Sequence, residues 1–344
     1  MAIKEYELLP YFARYIRDTE KGRRTKTNGE KITPQTIRLY RITYGLLALF
    51  AEQGNIPLRF YDYNRLNKRE RLAELKYWRR FETLFIKWLF TARGVHDNYA
   101  GAVIKQIKSF FKYLNEQCLL DTGPYYKSFK VLKCDVPVTA LNQEILIKLI
   151  HDKTFHESLK PNIQRTKDIF VFGCTVALRF SDIRSLRPLN IEQTNGDWYI
   201  KTISRKTKTH TAIKLPDYIV EIVKRHYHHR SRYLFPLISL ANFNKHLKTL
   251  GEAMQLTWPV CKTKTRYGKN RGENHTVRFC DTMSSHLMRR TAITNMLVLG
   301  MSEQAAKYVS GHSGGSKSFY RYVAFSQAYI NKELDAVYSK MQIR

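Results

Sequence analysis

A helical rhythm fills the first 117 residues of the chain and then stops. Between about Tyr6 and Thr19, Leu9, Phe12, Ala13 and Ile16 recur at the spacing of one helix face. The charged, glycine-containing run KGRRTKTNGEK follows as a solvated loop. Thr33 can cap and Pro34 can open a second helix, in which Ile37, Tyr40, Tyr44, Leu47 and Ala51 keep the three-and-four rhythm until Gly54. Two more follow, one from about Leu72 to Ala92 with Phe81, Leu84, Phe85 and Trp88, the other from about Tyr99 to Gln117 with Val103, Ile107, Phe110, Phe111 and Leu114. Four apolar stripes that each need cover predict a small helical bundle over residues 1–120. From Cys118 to Val138 no period is sustained and Gly123, Pro124 and Pro137 intervene, which predicts a linker over 121–138 and a second domain over 139–344.

The second domain reads differently. Helices are expected from Leu141 and over Ile163 to Leu178, then two extended segments, Trp198 to Ile203 and Thr211 to Leu215, on either side of RKTKTH. Alternating Thr, Ile and Tyr favour strands there, giving a two- or three-stranded sheet. The whole is therefore mainly α with a small β-sheet. Lys262 to Arg278 is basic and glycine-containing, as expected of a mobile hairpin or loop that orders on DNA. Ser284 or Ser285 can cap a helix carrying Leu287, Ile293, Met296 and Leu297 and ending at Gly300, and a second helix reads from Ser302 to about Ser310. A last helix is expected from Ala328 to Met341, with Ile330, Leu334, Val337 and Met341 on one side.

Charge narrows the partners. The 59 Lys and Arg against 29 Asp and Glu leave a net charge of +30, a surplus suited to a phosphate backbone. No amphipathic anchor, lipidation signal or long apolar run points to a membrane, and the expected location is cytoplasmic, with the nucleoid if the source is bacterial. The five cysteines are widely spaced with no CxxC, which suggests neither a disulfide framework nor a zinc site. The His-rich RHYHHR at 225–230 reads as a basic helix face. No P-loop or paired-carboxylate motif stands out, and no metal or other cofactor is expected.

The stretch from Ser284 to Tyr322 gathers the reactive groups. His286 and Arg289 share a helix face, His312 follows Gly311, and Tyr322 comes ten residues later. The residues alone also allow an amphipathic helix pair with a stray surface histidine. SHLMRRT, then SGH, then a tyrosine resembles the second signature box of the tyrosine recombinase (phage integrase) family, and ALRFSDIRSL around Arg179 resembles the first box. ITPQTIRLY resembles the opening of the second helix of that family's core-binding domain.

That resemblance implies an N-terminal helical core-binding bundle covering one face of DNA and a mixed α/β catalytic domain. It implies a site-specific recombinase or integrase that works as a homo-tetramer on double-stranded DNA carrying specific recombination sites, through a 3′-phosphotyrosyl link and without metal or ATP. Arg179 matches the invariant arginine of the first box, and Ser181 would cap the short helix after it. Lys208, within KTHTAIKLP, matches the family's hairpin lysine, with Lys206 as its rival. His286, Arg289 and His312 complete the set. Most family members place the tyrosine nine residues after the histidine, a position held here by Arg321. Tyr322 is the expected nucleophile because GHSGGSKS accommodates an extra glycine, and Tyr320 is the alternative.

The chemistry asks for such groups. Two permanently charged arginine forks can hold the nonbridging oxygens as charge builds, a phenol needs a base or a cationic site to attack near neutral pH, and the leaving 5′ oxygen needs a proton. Arg38, Arg41, Lys105, Lys108 and Lys112 lie off the apolar stripes and, with Lys206 and Arg290, are the expected DNA contacts. A type IB-like topoisomerase shares every catalytic group and is the first alternative; a non-catalytic DNA-binding regulator is the second.

Overall fold

The computed structural model describes residues 4–54, 56–135, 139–204, 209–228, 230–262, 264–270, 275–312, 319–320 and 327–341. By contacts the chain forms two units, Met1–Asp135 with Thr263–Asn274, and Val136–Lys262 with His275–Arg344. No helix is long and apolar enough to cross a membrane.

The first unit is the four-helix bundle that the periodicity predicts. Strand β1 (Glu5–Glu7) pairs antiparallel with β2 (Arg59–Tyr61), Tyr6 opposite Phe60. This pairing fixes the entry of α1 (Leu8–Glu20), whose Leu8 N–H donates to Leu58 O at 2.9 Å. The buried side of α1 is consequently Leu8, Phe12, Tyr15 and Ile16, with Leu9 and Ala13 only half-buried. Helix α2 (Pro34–Glu52) starts as expected, the Thr33 hydroxyl accepting from Thr36 N–H with Pro34 in the first turn. Helix α3 (Lys68–Thr91) begins four residues before the expected Leu72, because Asn67 and Glu70 form a capping box there. Helix α4 (Asp97–Glu116) buries Val103, Ile107, Phe110, Phe111 and Leu114. Trp78, Phe81, Phe85, Phe110 and Phe111 fill the centre, each ring contributing about 2–3 kcal/mol by leaving water. Residues 121–135, aperiodic in sequence, run along this unit, with Tyr125 and Phe129 buried in its core.

Two charged groups are built into that bundle. The Arg24 guanidinium lies 3.8 Å from the centre of the Tyr15 ring and donates to Thr19 Oγ1 at 2.6 Å. Arg59 Nη1 donates to Glu74, whose carboxyl is buried, and the Arg59 guanidinium covers the Tyr77 ring at 3.9 Å.

In the second unit α5 (Gln143–His151) and α6 (Lys153–Ser158) precede α7 (Pro161–Val176), which is buried along most of its length. After α8 (Phe180–Ile183) come β3 (Ile191–Thr194), β4 (Asp197–Ile203) and β5 (His210–Leu215), an antiparallel three-stranded sheet in which Trp198 pairs with Leu215 and Ile203 with His210. Ile200, Ile213 and Leu215 give it a buried face. Helices α9 (Asp217–His226) and α10 (Leu240–Ala253) follow.

Among its described residues, part of the basic stretch expected to order on DNA is held by protein contacts. Strand β6 (Pro259–Lys262) leads to a hairpin of β7 (Thr265–Arg266) and β8 (Lys269–Asn270), and β9 (His275–Arg278) returns antiparallel to β6. Tyr267 and Gly268, with φ of 54° and 70°, make the left-handed pair that a two-residue hairpin with the right strand twist requires. The hairpin belongs to the first unit, where the buried Asp97 accepts from Thr265 Oγ1 at 2.6 Å, Tyr267 N–H at 2.8 Å and Gly268 N–H at 2.9 Å. Arg266 Nε donates to Val95 O, and the Tyr267 ring meets Phe90 edge-on at 4.9 Å.

After α11 (Phe279–Thr282), α12 (Ser285–Val298) packs along α7. Gly173 permits that approach, since a Cβ there would lie 2.6 Å from Met288 Sδ. Helix α13 (Glu303–Val309) is capped by Ser302, and the last helix, Gln327–Met341, leaves Leu334, Val337 and Met341 exposed.

Candidate active site

Three parts of the second unit carry the polar residues singled out in the sequence. The first is the turn after α7. Ala177 ends that helix in the left-handed conformation (φ 56°) although it is not glycine, and Arg179 then holds the extended N-cap position of α8 (φ −69°, ψ 147°). The expected cap by Ser181 is not made: α8 begins at Phe180, two residues earlier than such a cap would place it, so Ser181 lies inside it, and no side chain caps the helix. Arg179 Nη1 donates to Ser204 Oγ at 2.9 Å and lies 3.9 Å from Asp182 Oδ2, and the Ser204 hydroxyl donates to that same oxygen at 3.4 Å.

The second part is α12. His286 is exposed on its first turn, Arg290 is half-buried, and Arg289 is only 2% exposed. A buried guanidinium must find acceptors. Nη1 of Arg289 donates to Ala177 O at 2.9 Å and to Ser310 O, tying α12 to the turn that presents Arg179 and to the end of α13. The acceptor at Ala177 exists because the left-handed residue turns the chain there.

His312 is the third part, 7% exposed. Ser310 Oγ donates to Ala306 O at 2.6 Å and lies 2.7 Å from His312 Nδ1, while Arg289 Nη2 lies 3.1 Å from Nδ1 and 3.0 Å from Nε2. Burial, followed by the positive charges of Arg289, Arg179, His286 and Lys307, pushes the His312 pKa down to about 3. The imidazole is neutral at physiological pH, and both ring nitrogens are engaged within the protein. The charges of Arg289, Arg179 and His286 all act on His312, and Arg289 is the one of the three in direct contact with it.

The His312 ring rests edge-on against buried Phe319 at 5.4 Å. Tyr320, half exposed, accepts from Lys307 Nζ at 3.0 Å, a contact that raises the lysine pKa. Tyr322, Lys208 and Lys206 lie outside the described residues. Among the expected DNA contacts of the first unit, Arg38 and Lys105 are exposed, Arg41 pairs with Glu20 at 2.7 Å and Lys112 with Glu116 at 3.5 Å. Lys108 donates to Lys127 O at 2.8 Å and Phe129 O at 3.0 Å, so its ammonium holds the 125–129 segment rather than projecting outward. Lys105 and Lys112 line a groove with Arg24 and Lys26.

Ser204, Ser310 and Lys307 were not singled out in the sequence. A serine just before a basic turn and one two residues before a histidine were the available signals. Among the described residues one trio, Glu252, Cys280 and Asp281, comes together closely enough to ligate a metal, but both carboxylates already accept from Arg278.

Residues 144–328 match the model of the phage integrase family. The chain belongs to that family. No curated protein sequence matches it. Solved structures share the fold at low identity. A lambda integrase dimer bound to a COC' core site is 11% identical with a TM-score of 0.60, covering 93% of this chain and 77% of that one. XerH site-specific recombinase bound to a palindromic difH substrate is 14% identical with a TM-score of 0.59, covering 94% and 84%. The Tn1549 transposon integrase in complex with transposon right end DNA is 14% identical with a TM-score of 0.57, covering 96% and 99%. The fold of this phage integrase family member is thus mainly helical with small sheets, as its residue pattern predicts.

Proposed function

We propose that this chain is a site-specific DNA recombinase that cuts and rejoins DNA through a 3′-phosphotyrosyl intermediate. One observation carries the reading: a buried Arg289 hydrogen-bonds the neutral His312, Ser310 O and Ala177 O, the last only two residues before Arg179, in a chain of the phage integrase family. Such a network fixes permanent positive charge without spending protons on it. Arg179 and Arg289 would hold the nonbridging oxygens of a scissile phosphate. The phenolic oxygen of Tyr322 would attack phosphorus, its proton passing to a base near His286, while the 5′ oxygen leaves with a proton from Lys208. The phosphotyrosyl ester keeps the bond energy, so the chemistry needs neither metal nor ATP.

The first unit, the helical bundle with residues 121–135 and the hairpin Thr265–Asn270, is the proposed DNA-binding domain, and the second unit is the proposed catalytic domain. Arg38, Lys105 and Lys112 are the phosphate contacts there, with Arg41 available once released from Glu20. Lys206 and Arg290 are the contacts proposed beside the site. A homo-tetramer on DNA is supported by the exposed apolar residues of the last helix and by the lambda integrase tetramer bound to a Holliday junction, 12% identical with a TM-score of 0.57. The site of action is the cytoplasm. Trapping on a suicide duplex tests the reading: wild type and Tyr320→Phe form a covalent adduct and Tyr322→Phe does not. Absence of any wild-type adduct, with duplex binding intact, leaves only a DNA-binding regulator.

A further inference from the structure

Ser204 lies one residue beyond β4, is 2% exposed, and joins three parts of the site. Its hydroxyl is the hydrogen-bonded intermediary between Arg179 Nη1 (2.9 Å) and Asp182 Oδ2 (3.4 Å), whose direct separation, 3.9 Å, is too long for a hydrogen bond. Its backbone N–H donates to Thr209 O at 2.9 Å, bracketing residues 205–208, the segment of sequence that contains Lys208. Against it stands Gly311, φ 60°, where a Cβ would be 3.5 Å from Ser204 Cβ, so the backbone leading into His312 packs on the same serine.

We propose that Ser204 is a positioning residue: its hydroxyl keeps the Arg179 fork turned toward the substrate phosphate and out of a closed ion pair with Asp182. The inference rests on the recombinase reading. The physical reason is a competition. A buried carboxylate attracts a guanidinium strongly, and the most stable pairing is bidentate. A serine hydroxyl between the two satisfies one oxygen of Asp182 and one N–H of Arg179 at once, which holds the pair apart. Alanine at this position removes the spacer and leaves both groups to close on one another. The arginine that should meet developing phosphate charge then spends its fork on Asp182. Misplacement by about 1 Å at such a site costs up to about 100-fold in rate.

The test is single-turnover cleavage of two suicide duplexes, one ordinary and one with sulfur replacing the bridging 5′ oxygen. A thiolate leaves without protonation, so the sulfur duplex relieves defects of the proton donor and not defects of the phosphate clamp. Ser204→Ala is expected to cleave the ordinary duplex about 10-fold to 100-fold slower than wild type. That deficit should persist on the sulfur duplex while the deficit of Lys208→Ala disappears, with duplex affinity and melting temperature unchanged. Ser204→Thr, which keeps the hydroxyl, should recover most of the rate. A wild-type rate in Ser204→Ala, or a deficit that vanishes with sulfur, overturns the proposal while leaving the recombinase reading intact. Failure of wild type to form an adduct with either duplex overturns that reading, and this inference with it.

Discussion

Replacing Asp97 by alanine should free the hairpin Thr265–Asn270 from the first unit. The carboxylate accepts three hydrogen bonds, from the buried Thr265 hydroxyl at 2.6 Å and from the N–H groups of Tyr267 and Gly268 at 2.8 and 2.9 Å. A buried hydroxyl bound to a carboxylate contributes about 1.5 kcal/mol, and two amide bonds at the exposed turn about 0.75 kcal/mol each, because water replaces the acceptor once the turn lifts. The total is about 3 kcal/mol, or on the order of 100-fold in the open population. Lys264, Arg266 and Lys269 put tryptic sites in and beside the hairpin. Cleavage under native conditions follows that population when opening and closing outpace the protease. Limited trypsinolysis with peptide mapping should show cutting at these sites accelerated on the order of 100-fold in Asp97→Ala, with the melting temperature lowered by several degrees as the same contacts leave the native state. Equal rates in wild type and variant would show that the carboxylate does not hold the hairpin.

Three other outcomes follow from the contacts described. Arg59→Met should destabilise the first unit by about 3–5 kcal/mol in urea unfolding, since it strands the buried Glu74 carboxyl, and adding Glu74→Leu should recover most of that loss. His312 carries its own acid sensitivity. Its folded pKa of about 3 lies below the ordinary 6.5, so the unfolded chain binds the proton first, and the stabilisation present above pH 6.5 is lost progressively as pH falls toward 3. Between pH 7 and pH 5 that is about 2 kcal/mol, which His312→Asn should remove from the pH dependence of urea unfolding. Gly173→Ala should cost about 1–3 kcal/mol by forcing Met288 and α12 away from α7, and should slow DNA cleavage because α12 carries His286 and Arg289.

The helices were legible where stripe and cap agreed. Thr33 with Pro34, and Ser302, are local signals, and they act locally in the structure. Alternation gave β4 and β5 within one residue at each end. What escaped detection depends on partners far away in sequence. Strands β1 and β2 are three residues each and exist because they pair with one another, which also turns the buried side of α1 toward Leu8 and Tyr15. Residues 121–135 have no period because they form no long helix, yet Tyr125 and Phe129 are core residues. Asp97 and Thr265 are 168 positions apart, and nothing local ties an acid at a helix start to a basic hairpin.

The same applies at the site. The motifs around Arg179 and His286 to His312 supplied the charged residues, while the serines that orient them carry no pattern of their own. The Ser181 cap failed locally: Arg179 holds the N-cap position of α8, two residues before Ser181, which lies inside the helix.

The Asp97 hairpin also sets where this protein can be cut in two. A fragment ending near Asp135 contains every helix of the bundle but not Thr265–Asn270. It would carry a carboxylate stripped of its three donors and a Phe90 without its aromatic neighbour. An isolated N-terminal half is thus best made as a fusion that returns the six-residue hairpin, or with Asp97 changed to a residue content to meet water.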